Sequence, residues 1–500
     1  MTTRGTSGEG APPSSRAGAP RPLLLLAILV VAVLAWAHRA HFVDDAFIGL
    51  RYVENLRLGH GFVFNPGDPP VEGVTNIGWT LLLAAVAPLL APALAAKLAG
   101  AVLLIVGLAL LATLFPRGRD AAGVAAAAPL LLAATCFDTV YFAVAGMETG
   151  LLVALVAAMA ALAAGRRSAP ALGVLAAAGF CVRPEAAAIP LLFALLRRDR
   201  HAITALAVAA FLIAFATLAR HAAFGDWLPQ PARAKSSSML VMLANLREIA
   251  TGSRAHLPFP LVGLPVIGLA IVGWRHLRAD GADGADMLAA IGATGLLFAT
   301  YALPDWTELA RYAAPYAPVL ILLAWTGFVA LAGGRRATIL PVLALLLVVA
   351  AVDHVAKTAR ADRFPGYVVF GTPLVEPARW IAANTPREAV IATRRIGAVG
   401  LFGQRRVFDY AVGLIDRDVA ALFAPPERGI EDPNDPRLAE LWAQRRPSHL
   451  LEDDDVIDRI ARAAGGTRAA FTVQGETFRV VKSFPLGTGR EWLLAARDAR

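Results

Sequence analysis

Residues 38–76 read HRAHFVDDAFIGLRYVENLRLGHGFVFNPGDPPVEGVTN, a polar stretch between two apolar ones. The run PLLLLAILVVAVLAWA precedes it at residues 22–37, and another apolar run follows at residues 77–95. Its second half is dense in Gly, Pro and Asn, which are turn residues. Its first half places apolar side chains on one helical stripe: Phe47, Leu50, Tyr52, Val53 and Leu56. The pattern predicts a long loop after a first membrane span, beginning with a helix that lies along the membrane surface.

The composition excludes a soluble enzyme. Of the 500 residues, 57% are hydrophobic and 17% are charged, and the mean hydropathy is +0.58. Soluble domains are roughly 45–50% apolar and about 25% charged. A disordered chain would not carry so many aliphatic residues, and Gly and Pro without a period exclude collagen and coiled coil. The chain is therefore predicted to be a polytopic α-helical membrane protein.

The number of spans is predicted to be about 11, an odd total. An apolar run needs ~20 residues to cross the hydrocarbon, and some of the runs given below are shorter. The first run ends in Ala35-Trp36-Ala37, which also fits signal-peptide cleavage, but we interpret it as a retained anchor. Further apolar runs lie near residues 77–95, 98–115, 121–136, 150–164, 169–182, 186–196, 202–219, 257–274, 287–303, 312–331 and 338–352.

Arginine clusters between these runs predict the orientation of the chain. The net charge is +9, and clusters at 166–167, 197–200, 275–278 and 335–336 are typical of cytoplasmic loops rather than of nucleic-acid binding. Residues 1–21 are rich in Gly, Ser, Pro and Ala and contain three Arg, and they are predicted to form a disordered cytoplasmic tail. The arginine clusters place this tail inside. They also predict that the outside carries the loops 38–76, 137–149, 220–256 and 304–311 and everything after residue 352.

Two places depart from simple counting of spans. The runs 169–182 and 186–196 are shorter than usual spans, and Arg183-Pro184-Glu185 joins them, so we interpret them as half-helices that meet inside the protein. Arg117 and Arg119 indicate the inside, whereas two full crossings over residues 77–115 would place them outside. One of those runs is therefore predicted to be tilted, broken at Pro88 or Pro92, or re-entrant.

Residues 353–500 have a different pattern and are predicted to form an extracytoplasmic α/β domain. Short β-type segments at 389–394, 405–411, 469–474 and 478–484 alternate with helical stretches. The glycines at 397, 400 and 403 do not have the spacing of a nucleotide-binding loop. His60, His256 and His354 show no zinc-ligand spacing.

The adjacent carboxylates Asp44 and Asp45 are the strongest local signal for chemistry. They lie a few residues beyond the first span, where ionisable groups are costly and often functional. Such a pair could supply a general base for a hydroxyl group or hold a divalent cation. The alternative is two solvated loop acids without a chemical role.

Several segments resemble the membrane-embedded glycosyltransferases of the GT-C fold, in the same order along nearly the whole chain. The block DDAFIGLRYVENLRLGHGFVFNPGDPPVEGVTNIGWTLLLA at 44–84 carries the resemblance best. It is most similar to the group that contains the terminal β-arabinofuranosyltransferases of mycobacterial cell walls. The other similar segments are GMETGLLVALVAA (146–158), VRPEAAAIPLL (182–192), FGDWLPQPARAK (224–235), DWTELARYAAPYAPVL (305–320) and RRIGAVGLFGQRRVFDYAVGLID (394–416).

This resemblance implies a glycosyltransferase module over residues 22–352, in the bacterial cytoplasmic membrane. It implies a polyprenyl-phosphate sugar as donor, a cell-envelope glycan, lipid or protein as acceptor, and inversion at the transferred carbon. The implied base is Asp44 by preference, with Asp45 as a neighbour that orients it or binds metal. No cofactor is certain. A divalent metal is possible, with Asp45 and Glu148 as its candidate ligands.

Three further sites have a substrate-binding and a plainer interpretation. Glu148 starts a span, where it could bind a cation or an acceptor hydroxyl, or interact with the helix dipole. Arg183 could hold the donor phosphate in a bidentate manner or pair with Glu185. Arg311 could contact the leaving phosphate or extend to lipid head groups.

The remaining members of the substrate-binding set lie in loops and in the first-loop helix. Lys235, one of few lysines, is a candidate phosphate contact. Glu72 and Asn76 flank a glycine turn and could face the sugar or shape the turn. Arg51, in the predicted surface helix, completes the set.

Two classes of function fit these features. The first is an inverting glycosyltransferase, and the alternative is a multi-pass transporter or flippase of a lipid-linked sugar. Transporters place ionisable groups and broken helices at mid-membrane, in two related halves. Here the charges concentrate at one boundary and the sequence shows no internal duplication, which favours the enzyme. A third possibility is a scaffold that has lost activity, against which the intact Asp44-Asp45 pair argues.

Overall fold

A computed structural model describes residues 21–114, 121–166, 168–234, 239–251, 263–302, 309–363, 372–423, 429–463, 465–486 and 489–498. The predicted cytoplasmic tail therefore lies almost wholly outside the described residues. The chain has two parts, a helical part and a C-terminal part built around a β-sheet.

The helical part contains α1 (Arg21–Ala37), α2 (Asp44–Arg57), α3 (Ile77–Val86), α4 (Pro92–Ala112), α5 (Ala121–Thr135), α6 (Phe137–Val144), α7 (Thr149–Ala164), α8 (Ala169–Val182), α9 (Ala188–Arg197), α10 (Arg200–Phe224), α11 (Gln230–Ala234), α12 (Met239–Thr251), α13 (Leu264–Ala279), α14 (Ala285–Tyr301), α15 (Ala317–Leu331) and α16 (Arg336–Arg363). Three of the described helices, α4, α10 and α16, are long and apolar enough to cross a membrane. The bent pair α6–α7 makes a fourth candidate, and five shorter apolar helices accompany them. The total of about 11 stays a prediction.

The helical part has two distinct ends. At one end Arg197 bonds Asp199 and Asp283, and Arg166 bonds Asp283, so the ends of α7 and α9 meet the starts of α10 and α14. At the other end, where α7 begins, lie the first loop and the C-terminal part. The arginine-rich ends and the C-terminal part are therefore on opposite sides.

The short helix α3 explains why residues 77–115 do not form two full crossings of the membrane. It has ten residues, about 15 Å, which is half the thickness of a bilayer core. The next helix, α4, begins close to the end of α1, because Lys97 Nζ donates to the carbonyls of His38 and His41. Of the helices α3 and α4, only α4 is thus long enough to cross the membrane. This agrees with the prediction that one of the two runs in residues 77–115 is not a full span. Arg117 and Arg119 lie outside the described residues.

The helix break predicted at Arg183 is present. Pro184 disfavours a helical conformation in the residue before it, and Arg183 is extended, with φ −150° and ψ 117°. A short 3₁₀ turn, Pro184–Ala187, leads into α9. Because Arg197 at the end of α9 lies near the end of α7, α8 and α9 form a hairpin whose tip is Arg183.

The prediction of a loop at residues 137–149 was wrong. This stretch forms the buried helix α6, which meets α7 at an angle of 117°. The prediction followed from the gap between two apolar runs, but every side chain of α6 is buried. The predicted loop 220–256 likewise contains the end of α10 and the helices α11 and α12.

Close helix crossings depend on glycine. A side chain at Gly273 of α13 or Gly327 of α15 would overlap a backbone carbonyl of the other helix. A side chain at Gly150 of α7 would overlap the Gly100 carbonyl of α4. Small residues allow the close backbone approach by which membrane helices associate.

The C-terminal part confirms the predicted α/β architecture. Its helices are α17 (Thr372–Asn384), α18 (Ile396–Gly403), α19 (Arg417–Ala420), α20 (Ala439–Arg445) and α21 (Asp454–Ala463), and its strands are β1 (Val390–Ala392), β2 (Arg406–Phe408), β3 (His449–Asp453), β4 (Ala470–Val473), β5 (Glu476–Pro485) and β6 (Glu491–Arg497). The strand order is β2-β1-β3-β6-β5-β4, parallel for the first three strands and antiparallel for the rest. The strands β3 and β6 were not predicted. The helix α16 continues ten residues past the predicted boundary at 353.

The helix α2, which we predicted to lie along the membrane surface, is covered by other parts of the chain on most of its sides. Its buried residues include polar ones such as Arg51 and Asn55, on the side opposite the apolar stripe. It packs against α3 and α4 of the helical part and against α18 of the C-terminal part. The glycines of α18 permit this contact, since a side chain at Gly397 would overlap the Asp44 carbonyl and one at Gly400 would overlap the Phe64 ring.

Candidate active site

Charged side chains from four separate stretches meet beside the start of α2. Arg311 Nη1 lies 2.6 Å from Asp45 Oδ2. Arg183 bridges two acids, with Nη1 2.9 Å from Glu148 Oε1 and Nε 2.7 Å from Glu185 Oε1. Arg311 also acts electrostatically on Arg183 and Glu148. Six of the sequence-predicted residues are thus brought together: Asp45, Asn76, Glu148, Arg183, Glu185 and Arg311.

Three helix N-termini converge on this cluster. Asp45 is in the first turn of α2, and Asn76 and Glu148 are the N-cap residues of α3 and α7. Neither N-cap side chain caps its own helix; Asn76 Nδ2 instead donates to Glu148 Oε2 at 2.7 Å. The Glu148 side chain therefore binds Asn76 and Arg183, in addition to any interaction with the dipole of α7. Helix N-termini carry positive partial charge, so they add to the field of the two arginines.

The cluster also holds buried donors that the described residues leave without an acceptor. Arg183 Nη2 and Tyr316 Oη are both buried and have no hydrogen-bond partner among the described residues. The Arg183 guanidinium lies 5.5 Å from the Phe298 ring centroid and 5.2 Å from that of Tyr312. An unmade bond to a buried charged donor costs about 1–3 kcal/mol or more, so a ligand that offers hydrogen-bond acceptors at this point is favoured.

The carboxylate of Asp44, the implied base, faces the C-terminal part of the chain and not the charged cluster. Asp44 is 3% exposed and accepts the backbone N–H groups of Gly397 at 3.1 Å and Ala398 at 2.8 Å. These groups form the N-terminus of α18, which favours a carboxylate. Asp44 and Asp45 are about 100° apart on α2, so only Asp45 faces the cluster.

Burial changes the acidity of Asp44, which lies outside the membrane-spanning segments. Desolvation raises the pKa of Asp44 to about 6, although the bond from Ala398 and the charge of Arg395 act in the opposite direction. Through its two backbone bonds, the Asp44 carboxyl group connects the two parts of the chain. Its raised pKa means that this connection responds to pH near 6.

Two other predicted binding residues, Glu72 and Arg51, support the first loop and do not reach the cluster. Glu72 forms a buried ion pair with Arg220 of α10, with Nε 2.5 Å from Oε2. Arg51 Nε donates to the carbonyl of Phe64 at 3.1 Å. Lys235 lies outside the described residues.

Some residues of the cluster escaped the sequence analysis. Tyr316 and Phe298 lie in apolar runs, where an aromatic residue gives no signal for a site. Tyr316 does belong to the segment 305–320 that we quoted for the resemblance. Arg220, the partner of Glu72, closes an apolar run, and an ionisable residue in such a place could have been noticed.

The candidate metal ligands Asp45 and Glu148 already have protein partners in the described part of the chain, and a divalent ion at this place stays a prediction. Each accepts a bond from an arginine, and no third His, Cys, Asp or Glu of the described residues lies close enough to share an ion with them. The one described grouping of three such residues is Asp453, Asp454 and Asp455, and Arg490 forms an ion pair with each of them.

Two family models match the chain. Residues 77–304 match glycosyltransferase family 87, and residues 368–496 match a domain of unknown function, DUF8728. A stretch of 147 residues is 37% identical to the terminal β-(1→2)-arabinofuranosyltransferase of Mycobacterium tuberculosis. This match covers 27% of the chain and 23% of that protein, so the chain matches less than a quarter of the relative's length.

Solved structures show the same fold at low sequence identity. ArnT from Cupriavidus metallidurans bound to undecaprenyl phosphate superposes with a TM-score of 0.54 at 14% identity, over 95% of this chain and 97% of that one. The oligosaccharyltransferase AglB from Archaeoglobus fulgidus, in complex with an inhibitory peptide and a dolichol-phosphate, gives 0.52 at 11% identity, over 87% and 69%. The chain is therefore a multi-pass membrane protein with the GT-C glycosyltransferase fold, and its residues 77–304 match glycosyltransferase family 87.

Proposed function

We propose that the chain is a glycosyltransferase that moves one sugar from a polyprenyl-phosphate donor to a cell-envelope acceptor. The observation that carries the proposal is the buried cluster of Asp45, Arg311, Glu148 and Arg183, with its unpartnered donors at Arg183 Nη2 and Tyr316 Oη. Two arginines and three helix N-termini favour an anionic phosphate, and a carboxylate lies beside them. The bound undecaprenyl phosphate of ArnT and dolichol-phosphate of AglB support a lipid-linked donor.

The proposed reaction is a single displacement at the anomeric carbon. The acceptor hydroxyl oxygen forms the new bond to that carbon while the bond to the phosphate oxygen breaks on the opposite face. The electron pair leaves with the lipid phosphate, the hydroxyl proton passes to the Asp45 carboxylate, and the configuration inverts. Arg183 and Arg311 stabilise the charge that develops on the leaving phosphate, which is the largest effect available in a site that excludes water.

Asp45 replaces Asp44 as the proposed base. The Asp45 side chain is 19% exposed, so an acceptor can reach it. Asp44 is enclosed and its two oxygens already accept backbone bonds. In the resting cluster Arg311 pairs with Asp45, and we propose that the donor phosphate takes over this arginine, which leaves the Asp45 carboxylate to the acceptor.

The proposed orientation places the site and residues 372–498 outside the cytoplasm. The arginine-rich helix ends lie at the opposite end of the helical part, as the positive-inside rule requires of a cytoplasmic end. The charged cluster lies at the start of α7 and not midway along it, which favours the enzyme over the transporter. A flippase path would need ionisable groups at mid-membrane depth.

The donor is tested with the purified protein and a panel of polyprenyl-phosphate sugars. An arabinofuranose donor stands first, because of the 37% identity with the mycobacterial enzyme over 147 residues. We expect release of polyprenyl phosphate together with a glycosylated acceptor. In sealed vesicles, movement of intact donor across the bilayer without sugar transfer would instead identify the flippase.

A further inference from the structure

The buried helix α6 holds the turn that carries Arg311. Asp138 is fully buried, and its Oδ1 accepts the backbone N–H of Ala310 at 3.1 Å. The hydroxyl of Thr139 donates to the carbonyl of Ala314 at 2.8 Å. Two neighbouring side chains of α6 thus fix the backbone immediately before and three residues after Arg311.

The turn at the C-terminal end of α6 also binds the residue before α2 and a residue of α3. The N–H of Val43 donates to the carbonyl of Ala145 at 3.2 Å, one residue before α2 begins. Trp79 Nε1 of α3 donates to the carbonyl of Gly146 at 3.0 Å. The segment from Asp138 to Gly146 therefore contacts both the Arg311 turn and the start of the helix that carries Asp45.

The second oxygen of Asp138 has a cation as its partner. Lys357 Nζ of α16 lies 2.6 Å from Asp138 Oδ2 and 3.0 Å from Asp353. A buried carboxylate persists only when it is paired and hydrogen-bonded, and Lys357 supplies the charge. Asp138 is therefore an anionic acceptor for the Arg311 turn. Both of its carboxylate oxygens bond residues outside α6.

We propose that Asp138 and Thr139 are positioning residues, which set the distance between Arg311 and Asp45. This inference rests on the proposed function, in which Arg311 binds the leaving phosphate. Neither residue touches the reacting atoms. Each acts on catalysis by fixing the backbone from which Arg311 extends, and small displacements of a catalytic group reduce rates strongly.

A matched pair of buried threonines tests the proposal. Thr139→Val removes the bond to the Arg311 turn, whereas Thr294→Val of α14 removes only a bond within its own helix, to the Ala290 carbonyl. Both changes keep side-chain volume. We expect kcat/KM for the lipid donor to fall about tenfold in Thr139→Val and to stay near wild type in Thr294→Val. Equal values for the two variants, at equal thermal stability, would overturn the positioning role.

A double-mutant cycle separates positioning from a general loss of stability. If Asp138 acts through Arg311, Asp138→Ala lowers kcat/KM in the wild-type background and has no further effect in Arg311→Ala. Multiplicative losses would show that Asp138 acts elsewhere, and the positioning role would fall while the proposed function stands. Full transfer by Arg311→Ala would overturn both, because the arginine then has no role in the reaction. Should Asp138→Ala not fold, Thr139→Val replaces it in the cycle.

Discussion

At the scale of single residues, two adjacent aspartates have different surroundings. Asp44 accepts two backbone bonds from α18, while Asp45 pairs with Arg311. Helical geometry predicts from sequence that the two differ, since successive side chains point about 100° apart. Which of them faces the cluster was not predictable, because α18 lies some 350 residues further along the chain.

Asp44 should make the stability of the protein depend on pH. Its pKa of about 6 lies above the ordinary value of 3.8, so the folded state binds more protons than the unfolded state between these values. The contribution of Asp44 to stability is then fully present below pH 3.8, is lost as pH rises through 6, and amounts to about 3 kcal/mol in total. Asp44→Asn should lack this component. Thermal unfolding in detergent from pH 4 to 7 measures it, and parallel curves for the two proteins would contradict the account.

Arg183 should require its guanidinium. It bridges Glu148 and Glu185 through two separate nitrogens, and the single nitrogen of a lysine cannot reach both acids and a phosphate from these positions. We expect Arg183→Lys to lower kcat/KM for the lipid donor by roughly ten- to a hundredfold, as for a lost charge-assisted bond of about 1.5–3 kcal/mol.

The control for Arg183 is Arg197→Lys. Arg197 bridges Asp199 and Asp283 in similar geometry at the opposite end of the helical part. The Arg197→Lys variant should keep the wild-type rate of sugar transfer. Equal losses in both variants would mean that these arginines act only through the fold.

At the scale of elements, the contact of α18 with α2 connects the two parts of the chain. Gly397→Ala should weaken it, because the new methyl group would overlap the Asp44 carbonyl. Overpacking of this kind costs about 1–3 kcal/mol. Gly403→Ala on the same helix is the control, since its methyl group would have ordinary contacts at 3.5 Å and beyond. Thermal unfolding should show a lower midpoint for Gly397→Ala alone; equal midpoints would contradict the tight contact.

Elements with a strong local signal were predictable. The break at Arg183 follows from Pro184, and four of the six strands follow from β-branched and aromatic residues. The strand β3 was missed because its sequence, HLLED, ends in two acids. The helix α6 was missed because it lies in the gap between two apolar runs, whereas in the fold its buried Asp138 pairs with Lys357, 219 residues away.

At the scale of the whole molecule, orientation is the claim that the sequence supports most directly. Arginine-rich helix ends predict the cytoplasmic side, and the C-terminal part lies at the other end. A reporter active only in the cytoplasm should be silent when fused after Arg500 and active when fused after Arg335. Activity after Arg500 would reverse the proposed orientation and the side on which the acceptor is glycosylated.

The packing of distant parts could not be predicted from sequence. Composition indicated the membrane part and the strand pattern indicated the C-terminal α/β domain, but neither predicts that α2 lies between them. The charged cluster likewise combines residues from 45 to 311, whose proximity depends on the hairpin α8–α9 and on α6. The sequence analysis named six residues of this cluster, and the contacts between them came from the fold.

The most direct test of the proposed mechanism is single-turnover sugar transfer by purified wild type, Asp45→Asn and Asp44→Asn with a polyprenyl-phosphate sugar that the wild type uses. Loss of a general base costs about 10²–10⁴-fold in rate. We predict that Asp45→Asn loses transfer by this factor while it still binds the donor, and that Asp44→Asn keeps most of its rate at a temperature where it is folded. Full activity of Asp45→Asn would contradict the assignment of the base and the mechanism built on it.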